Sequence, residues 1–477
     1  MSAIHEQAMN YVYQQVLQRL IGHFIRAERT ALQLLIQRIV VAAGGIEQME
    51  NYKVLVAHGG GGVSSHTLAL LRAAQLTIAG RAPKTFQLRV ATLRHVGMSR
   101  EALDALHRAY SRLFFHDDPR VELLMVENQE VLPFNHQRPV SSPGRVASQR
   151  NMLMVGHLTA GDIRATLCHD AYLALGDFYQ RVTAWNGGVH AVVSGDSARK
   201  QAQFLAWLKK TAQATGNTAP AGSPASLNEL FARMDEWSVD FYRDLYGEHY
   251  VPRGDVSPGV HRHLAYIGIA DLLNGGDRAD APLLTEFMGY TPDPLGFHFS
   301  HPAFTHPLLM AHLQGLQAEC LRALEYEEGV DDFMLHAVRH LRRRQFSDAL
   351  VSQVVSREGR DSSAAYAEQF FGLDESQLVC LLFSPFIHHG ERLECYLRQC
   401  HPGMLVALPE LHKVLQGKPA AEMLQQWVVD TSGMPLALAQ HLYRKRSVSL
   451  APGRAAGKCR HERTMVDGTM AFQLTGR

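Results

Sequence analysis

Apolar positions divide the chain into regions of different periodicity. Over residues 1–50 they recur at helical spacing, as at Val12, Val16, Leu20 and Phe24, with no alternating stretch between them. This segment is expected to be helical, either a packing pair or a dimerisation arm. From Lys53 to about Ala212 short apolar runs alternate with longer amphipathic stretches. The runs predict strands at Val54–Ala57, Phe86–Thr92, Val121–Val126, Met152–Gly156 and Val189–Ser194. The stretches between them predict helices over His66–Ala79, Arg100–Leu113, Ile163–Arg181 and Ala198–Thr211. Strands alternating with helices are the pattern of a parallel sheet covered on both faces. Leu132–Gln149 carries prolines and serines and reads as a long loop.

Residues 213–226, rich in Ala, Gly, Pro, Ser and Thr, have the composition of a linker. Residues 227–372 show helical patterns at Leu227–Tyr246, Val260–Leu273, Leu308–Tyr326 and Asp331–Val355. Apolar runs at Leu378–Phe383 and Met404–Leu408 predict two further strands, so 373–446 reads as a returning α/β segment. Residues 447–477 read as a flexible basic tail. The fold expected is α/β, with a doubly wound, mostly parallel, Rossmann-like sheet starting in 51–212. An N-terminal helical segment precedes it, and a large all-helical insertion or lid occupies 227–372. A pair of Rossmann-like lobes is the alternative arrangement.

The apolar run Lys53–Ala57 ends in His58-Gly59-Gly60-Gly61-Gly62-Val63-Ser64-Ser65-His66-Thr67. Glycines permit a tight turn and close approach of a ligand to the backbone. The helix that follows offers free N–H groups and a positive dipole end to an anion. The spacing is neither G-x-G-x-x-G nor that of a P-loop. Gly59, Gly60, Gly61 and Gly62, with the hydroxyls of Ser64, Ser65 and Thr67, are the expected seat of a phosphorylated or nucleotide ligand. A tight turn capped by Ser64 or Ser65 explains the same residues without a ligand. Over Lys53–Thr67 the chain resembles the first βα turn of glycosyltransferases with two Rossmann-like lobes, and the glycine-rich turn of tubulin-like GTPases. The later motifs of both families are absent.

Ligands in open parallel sheets sit outside the carboxyl ends of the strands. That rule brings in three further loops. His157, Thr159 and Asp162 follow the fourth expected strand, and Ser194, Asp196 and Ser197 follow the fifth. His388, His389 and Glu391 follow the run Leu378–Phe383. His58, His157, Asp196 and His388 are the acid–base candidates. Thr159, Asp162, Asp196 and Ser197 equally suit helix caps. Asp170 and Asp177 share a helical face and read as surface charge. His336 and His340 are spaced to share a metal, but no E-x-x-H pair accompanies them.

Net charge is +1, which gives no electrostatic reason to expect nucleic acid. The six cysteines are scattered and form no C-x-x-C pair, so free thiols are expected. The apolar stretch Ala31–Gly44 is too short to span a bilayer, and no signal peptide is recognisable. A cytoplasmic protein is expected, with a possible homodimer through the N-terminal helices. The function expected is group transfer from a phosphorylated, nucleotide or sugar-nucleotide donor. The alternatives are a non-catalytic nucleotide-sensing or effector protein, and a helical metal-dependent oxidase.

Overall fold

The computed structural model describes residues 3–82, 84–214, 226–252, 263–273, 282–289, 307–343, 360–448 and 450. Its centre is one six-stranded sheet in the order β4-β3-β2-β1-β5-β6. The strands are β1 (Lys53–Ala57), β2 (Gln87–Leu93), β3 (Val121–Glu127), β4 (Glu130–Pro133), β5 (Ala191–Ser194) and β6 (Ala265–Gly268). All neighbours are parallel except β3 and β4, a hairpin turned at Asn128 and Gln129 with φ of 46° and 69°. Positive φ at both turn residues matches the twist of the flanking strands. β1 reaches β2 directly, whereas β5, on its other side, follows only after β3, β4 and two helices. The direction of winding therefore reverses between β1 and β5, and a crevice opens at such a point.

Alternation along the strands sends Val54 and Val56 to one face and Leu55 to the other. The first face is covered by α1 (Ala3–Gly22), α2 (Arg26–Ala43), α3 (Gly62–Ala79) and α4 (Arg100–Arg112). The N-terminal helices thus belong to the core. Glu28 of α2 meets His66 Nε2 at 3.0 Å, tying α2 to α3. Arg72 of α3 is wholly buried, paired with Asp118 at 2.7 Å and donating to the carbonyls of Leu113 and Phe114. The second face is covered by α6 (Ile163–Ala184), α7 (Ala198–Ala214) and α8 (Leu227–Tyr246), through Phe178, Val182, Leu208 and Phe231.

A further apolar body lies beyond this layer. It joins α5 (Ser142–Leu158), the first half of α6, the last turns of α8 and α9 (Pro307–Gln317) to the helices that follow Arg360. Because α6 and α8 contribute side chains to both bodies, the sheet and the helical body share continuous rods.

Four expected strands form, at the positions of β1, β2, β3 and β5, and the helices between them form as α3, α4, α6 and α7. Three do not. Met152–Gly156 is the buried end of α5, which Ser141 caps by accepting the Gly144 N–H at 3.2 Å. Leu378–Phe383 lies in a helix, Glu375–Phe383, opened by a reciprocal Asp374–Gln377 capping box. Met404–Leu408 is a 3₁₀ turn running into the helix Leu408–Leu415. A continuous apolar run marks an element buried on all sides, strand or helix alike. The late segment therefore adds no strand among the described residues, and β6, inside the stretch expected to be all helical, joins the sheet instead. Val260–Leu273, expected as helix, carries β6 and a 3₁₀ turn in its described part. The expected loop 132–149 contains the end of β4 and the start of α5. Residues 215–225 of the expected linker and all of the tail after Leu450 lie outside the described residues. Among the described residues no helix is long and apolar enough to cross a membrane.

Candidate functional site

Between the end of β1 and the start of α3 stand only His58, Gly59, Gly60 and Gly61. Gly60 adopts φ +81°, which an L side chain resists. A side chain at Gly59 would meet nothing within 4 Å. Gly61 is the N-cap of α3, and no side chain caps the helix there. Ser64 Oγ donates back to the Gly61 carbonyl at 2.9 Å, and Thr67 Oγ1 donates to the Val63 carbonyl at 2.8 Å. The first-turn N–H groups and the positive end of α3 are thus left to the solvent side.

The loop after β5 presses on the same helix. A Cβ at Gly195 would lie 2.4 Å from Thr67 Oγ1 and 2.7 Å from Leu273 Cδ1, so only glycine permits this approach. The contact brings the two expected loops together where the winding of the sheet reverses, the point at which such sheets open a crevice. Asp196 and Ser197 are exposed on its rim. Ser194 Oγ accepts the Asp196 N–H at 3.1 Å, and Ser197 Oγ accepts the Lys200 N–H at 3.3 Å, capping α7.

His58 lies under the loop and is fully buried. Its Nδ1 is 3.0 Å from Tyr110 Oη and its Nε2 3.0 Å from Ser65 Oγ. Thr92 Oγ1 donates to the His58 carbonyl at 2.9 Å and lies 3.1 Å from Tyr110 Oη. One assignment satisfies every group: Tyr110 donates to Thr92, His58 Nδ1–H donates to Tyr110, and Ser65 donates to Nε2. Burial pushes the His58 pKa down to about 3, so the ring stays neutral. His58, Ser65 and Thr67 are buried beneath the loop, with Thr67 against Gly195.

A second cleft, of about 210 Å³, opens at the carboxyl ends of β2 and β3, walled by α5, α6 and α8. Asp170 is its hub. One carboxylate oxygen accepts from Tyr242 Oη at 2.5 Å and Asn151 Nδ2 at 2.7 Å, and the other from Ser148 Oγ at 3.2 Å. Tyr246 Oη donates to Asn151 Oδ1 at 2.6 Å. Arg94, Glu127 and Arg150 complete the charged lining. Burial lowers the Arg94 pKa, and the Glu127 carboxylate opposes the shift. Asp170 and Asp177, read from sequence as surface charge, are wall residues of this cleft. Arg94, Glu127 and Arg150 were missed altogether. Glu127 ends β3 and Arg94 follows β2, and the two tyrosines stand four apart on α8, a signal that becomes legible only once α8 is known to cross the strand ends.

The remaining expected site residues are elsewhere. His157 is fully buried near the end of α5, its ring 5.6 Å from Phe386, and burial pushes its pKa down to about 3. Thr159 Oγ1 donates to the Val155 carbonyl at 2.8 Å, and Asp162 caps α6 by accepting the Ala165 N–H at 2.8 Å. Both act as caps, the bland reading of their types. His388 Nε2 accepts the Ser447 N–H at 2.8 Å, and the His389 ring packs edge-on to Tyr443. Glu391 is exposed beside them. These three stand in the helical body, because the strand meant to carry them to the sheet edge is a helix. His336 is exposed, the His340 side chain lies outside the described residues, and among the described residues no group of three ligands is placed to hold a metal. Comparison of the chain with models of known protein families, with curated proteins and with solved structures gives no match.

Proposed function

We propose that the protein is a group-transfer enzyme seating the phosphate of a nucleotide, sugar-nucleotide or other phosphorylated donor on Gly59–Gly62. The observation that carries this reading is the contact of Gly195 with Thr67, which closes the β1 and β5 loops around the uncapped start of α3. Ser64, Ser194 and Ser197 supply hydroxyls at the rim. Of the four expected acid–base residues, Asp196 is the one at this crevice, and its role is to take a proton from the acceptor.

The test is the melting temperature of the full chain with a panel of nucleotides and sugar nucleotides. A ligand at a hundredfold excess over its Kd stabilises by about 2.7 kcal/mol. The expected result is a shift with one nucleotide class, lost in Gly61→Val. A flat panel overturns the reading.

A second reading, non-catalytic binding of the same ligand, is favoured by the burial of His58 and His157 as neutral rings. Recovery of the bound nucleotide unchanged after incubation with candidate acceptors, and identical behaviour of Asp196→Asn, supports that reading against transfer. A homodimer contact through α1 and α2 belongs to either reading, on the exposed Tyr11, Leu34 and Val41. Light scattering of the purified chain reads it.

A further inference from the structure

The cleft at the ends of β2 and β3 plays no part in the reading above. We propose that it binds a small zwitterion carrying a protonated amine and a carboxylate, an α-amino acid in the simplest case. The ligand class follows from which of the cleft's charged groups keep buried atoms without a hydrogen bond. Both Asp170 oxygens are hydrogen-bonded, by Tyr242 and Asn151 on one and Ser148 on the other. Asp177 is taken by Arg181 at 2.7 Å. Glu127 is different. It is only 5% exposed. Its Oε1 accepts the Ser141 N–H at 2.6 Å, but among the described residues its buried Oε2 has no hydrogen bond, only a long ion pair to Arg138 Nε at 3.9 Å.

The cations show the complementary deficit. Arg94 gives one N–H to the Met98 carbonyl at 2.8 Å, and its Nε is buried without a partner. Arg150 Nε is likewise unpartnered, with its guanidinium 5.4 Å from the Tyr246 ring centre. Among the described residues neither guanidinium lies within ion-pair distance of a carboxylate, although the Glu127 charge is felt at Arg94. Buried polar atoms left unbonded are costly, and a site holding both signs of deficit is relieved by one molecule bearing both charges. The amine meets Glu127 Oε2, and the carboxylate meets Arg94 and Arg150. Those atoms are covered, so binding turns the Glu127 and Arg94 groups toward the space that they line.

Size restricts the class further. At about 210 Å³ the cleft has room for a small polar molecule. That space admits an amino acid, and the cleft shares no lining residue with the glycine loop. The inference is therefore independent of the ligand proposed for the glycine loop.

The experiment is calorimetric titration of the full chain with the common L-amino acids. Propionate and ethylamine serve as single-charge controls for alanine, and the corresponding pairs for the others. The expected result is saturable binding of at least one amino acid and none of its single-charge analogues. Glu127→Gln keeps the Oε1 acceptor for Ser141 and raises the Kd at least tenfold. Arg150→Gln does the same, and serves as the second variant should Glu127→Gln fail to fold. Binding unchanged by Gly61→Val separates this cleft from the crevice. No binding across the panel, equal binding of a single-charge analogue, or binding unchanged in Glu127→Gln and Arg150→Gln overturns the proposal.

Discussion

Acidification is expected to unfold this protein under mild conditions, and the cause lies in three histidines. His58, His157 and His169 are fully buried, and burial pushes each pKa down to about 3. In the unfolded chain each titrates near its ordinary value of about 6.5. The native state thus binds fewer protons than the unfolded state throughout the interval, and stability falls as pH falls from about 6.5 toward about 3. Going from pH 7 to pH 5 favours unfolding by about 2 kcal/mol per ring, so about 6 kcal/mol for the three. The whole stability of a typical domain is only about 5–15 kcal/mol. Well below pH 6 these three rings alone set a limiting slope of about 4 kcal/mol per pH unit, one proton each taken up on unfolding. Urea denaturation followed by tryptophan fluorescence at intervals between pH 7 and pH 5 measures it. Among the described residues the ring nitrogens of His157 and His169 have no hydrogen-bond partner, so phenylalanine replaces either ring without orphaning a neighbour there. His157→Phe or His169→Phe should each lower the slope by about 1.4 kcal/mol per pH unit, and the pair by about 2.7. A wild-type loss below about 2 kcal/mol between pH 7 and pH 5, or an unchanged slope in both variants, would refute the reasoning. The same result bears on function, since rings held neutral to about pH 3 are poorly matched to acid–base work near neutrality.

Two glycines of the crevice should behave oppositely. Gly59→Ala meets open space and should change stability by less than about 0.5 kcal/mol, whereas Gly195→Ala overpacks Thr67 and Leu273 and should cost about 1–3 kcal/mol. Equal thermal shifts for the two would remove the contact between the loops. Asp118→Ala strands the buried Arg72 charge and should cost about 3–5 kcal/mol by chemical denaturation. Burial alone would raise the Asp118 pKa, but hydrogen bonds from Arg120 and the charges of Arg72 and Arg120 bring it down to about 2 from 3.8. Its contribution of about 2 kcal/mol is complete above about pH 4 and lost as pH falls to about 2, so the variant should lack that part of the acid response.

Much of the sheet was legible because its signals are local. β1, β2, β3 and β5 are short apolar runs closed by glycine or polar residues, and the helices between them carry one apolar face. The glycine loop and the Ser194–Ser197 loop were found for the same reason, and the rule for parallel sheets puts them together. The failures share a cause as well. Met152–Gly156 and Leu378–Phe383 are continuous apolar runs, which mark burial on all sides without choosing between strand and helix. The capping signal Asp374-Glu375-Ser376-Gln377 stood in the sequence and favours helix, as does the Pro143 start of α5. His157, Thr159, Asp162, His388, His389 and Glu391 were assigned to the sheet edge only through those two runs.

By itself the sequence determined the elements whose pattern is periodic, the parallel sense of the sheet, and the position of its glycine-rich turn. Tertiary structure decided which loops meet. Gly195 is informative only beside Thr67, a residue distant along the chain. Asp170 became a cleft residue because α6 and α8 run past the ends of β2 and β3. Whether a histidine is a catalyst or a buried neutral ring depends on the solvent it loses, and that loss belongs to the packed molecule and to no stretch of its sequence.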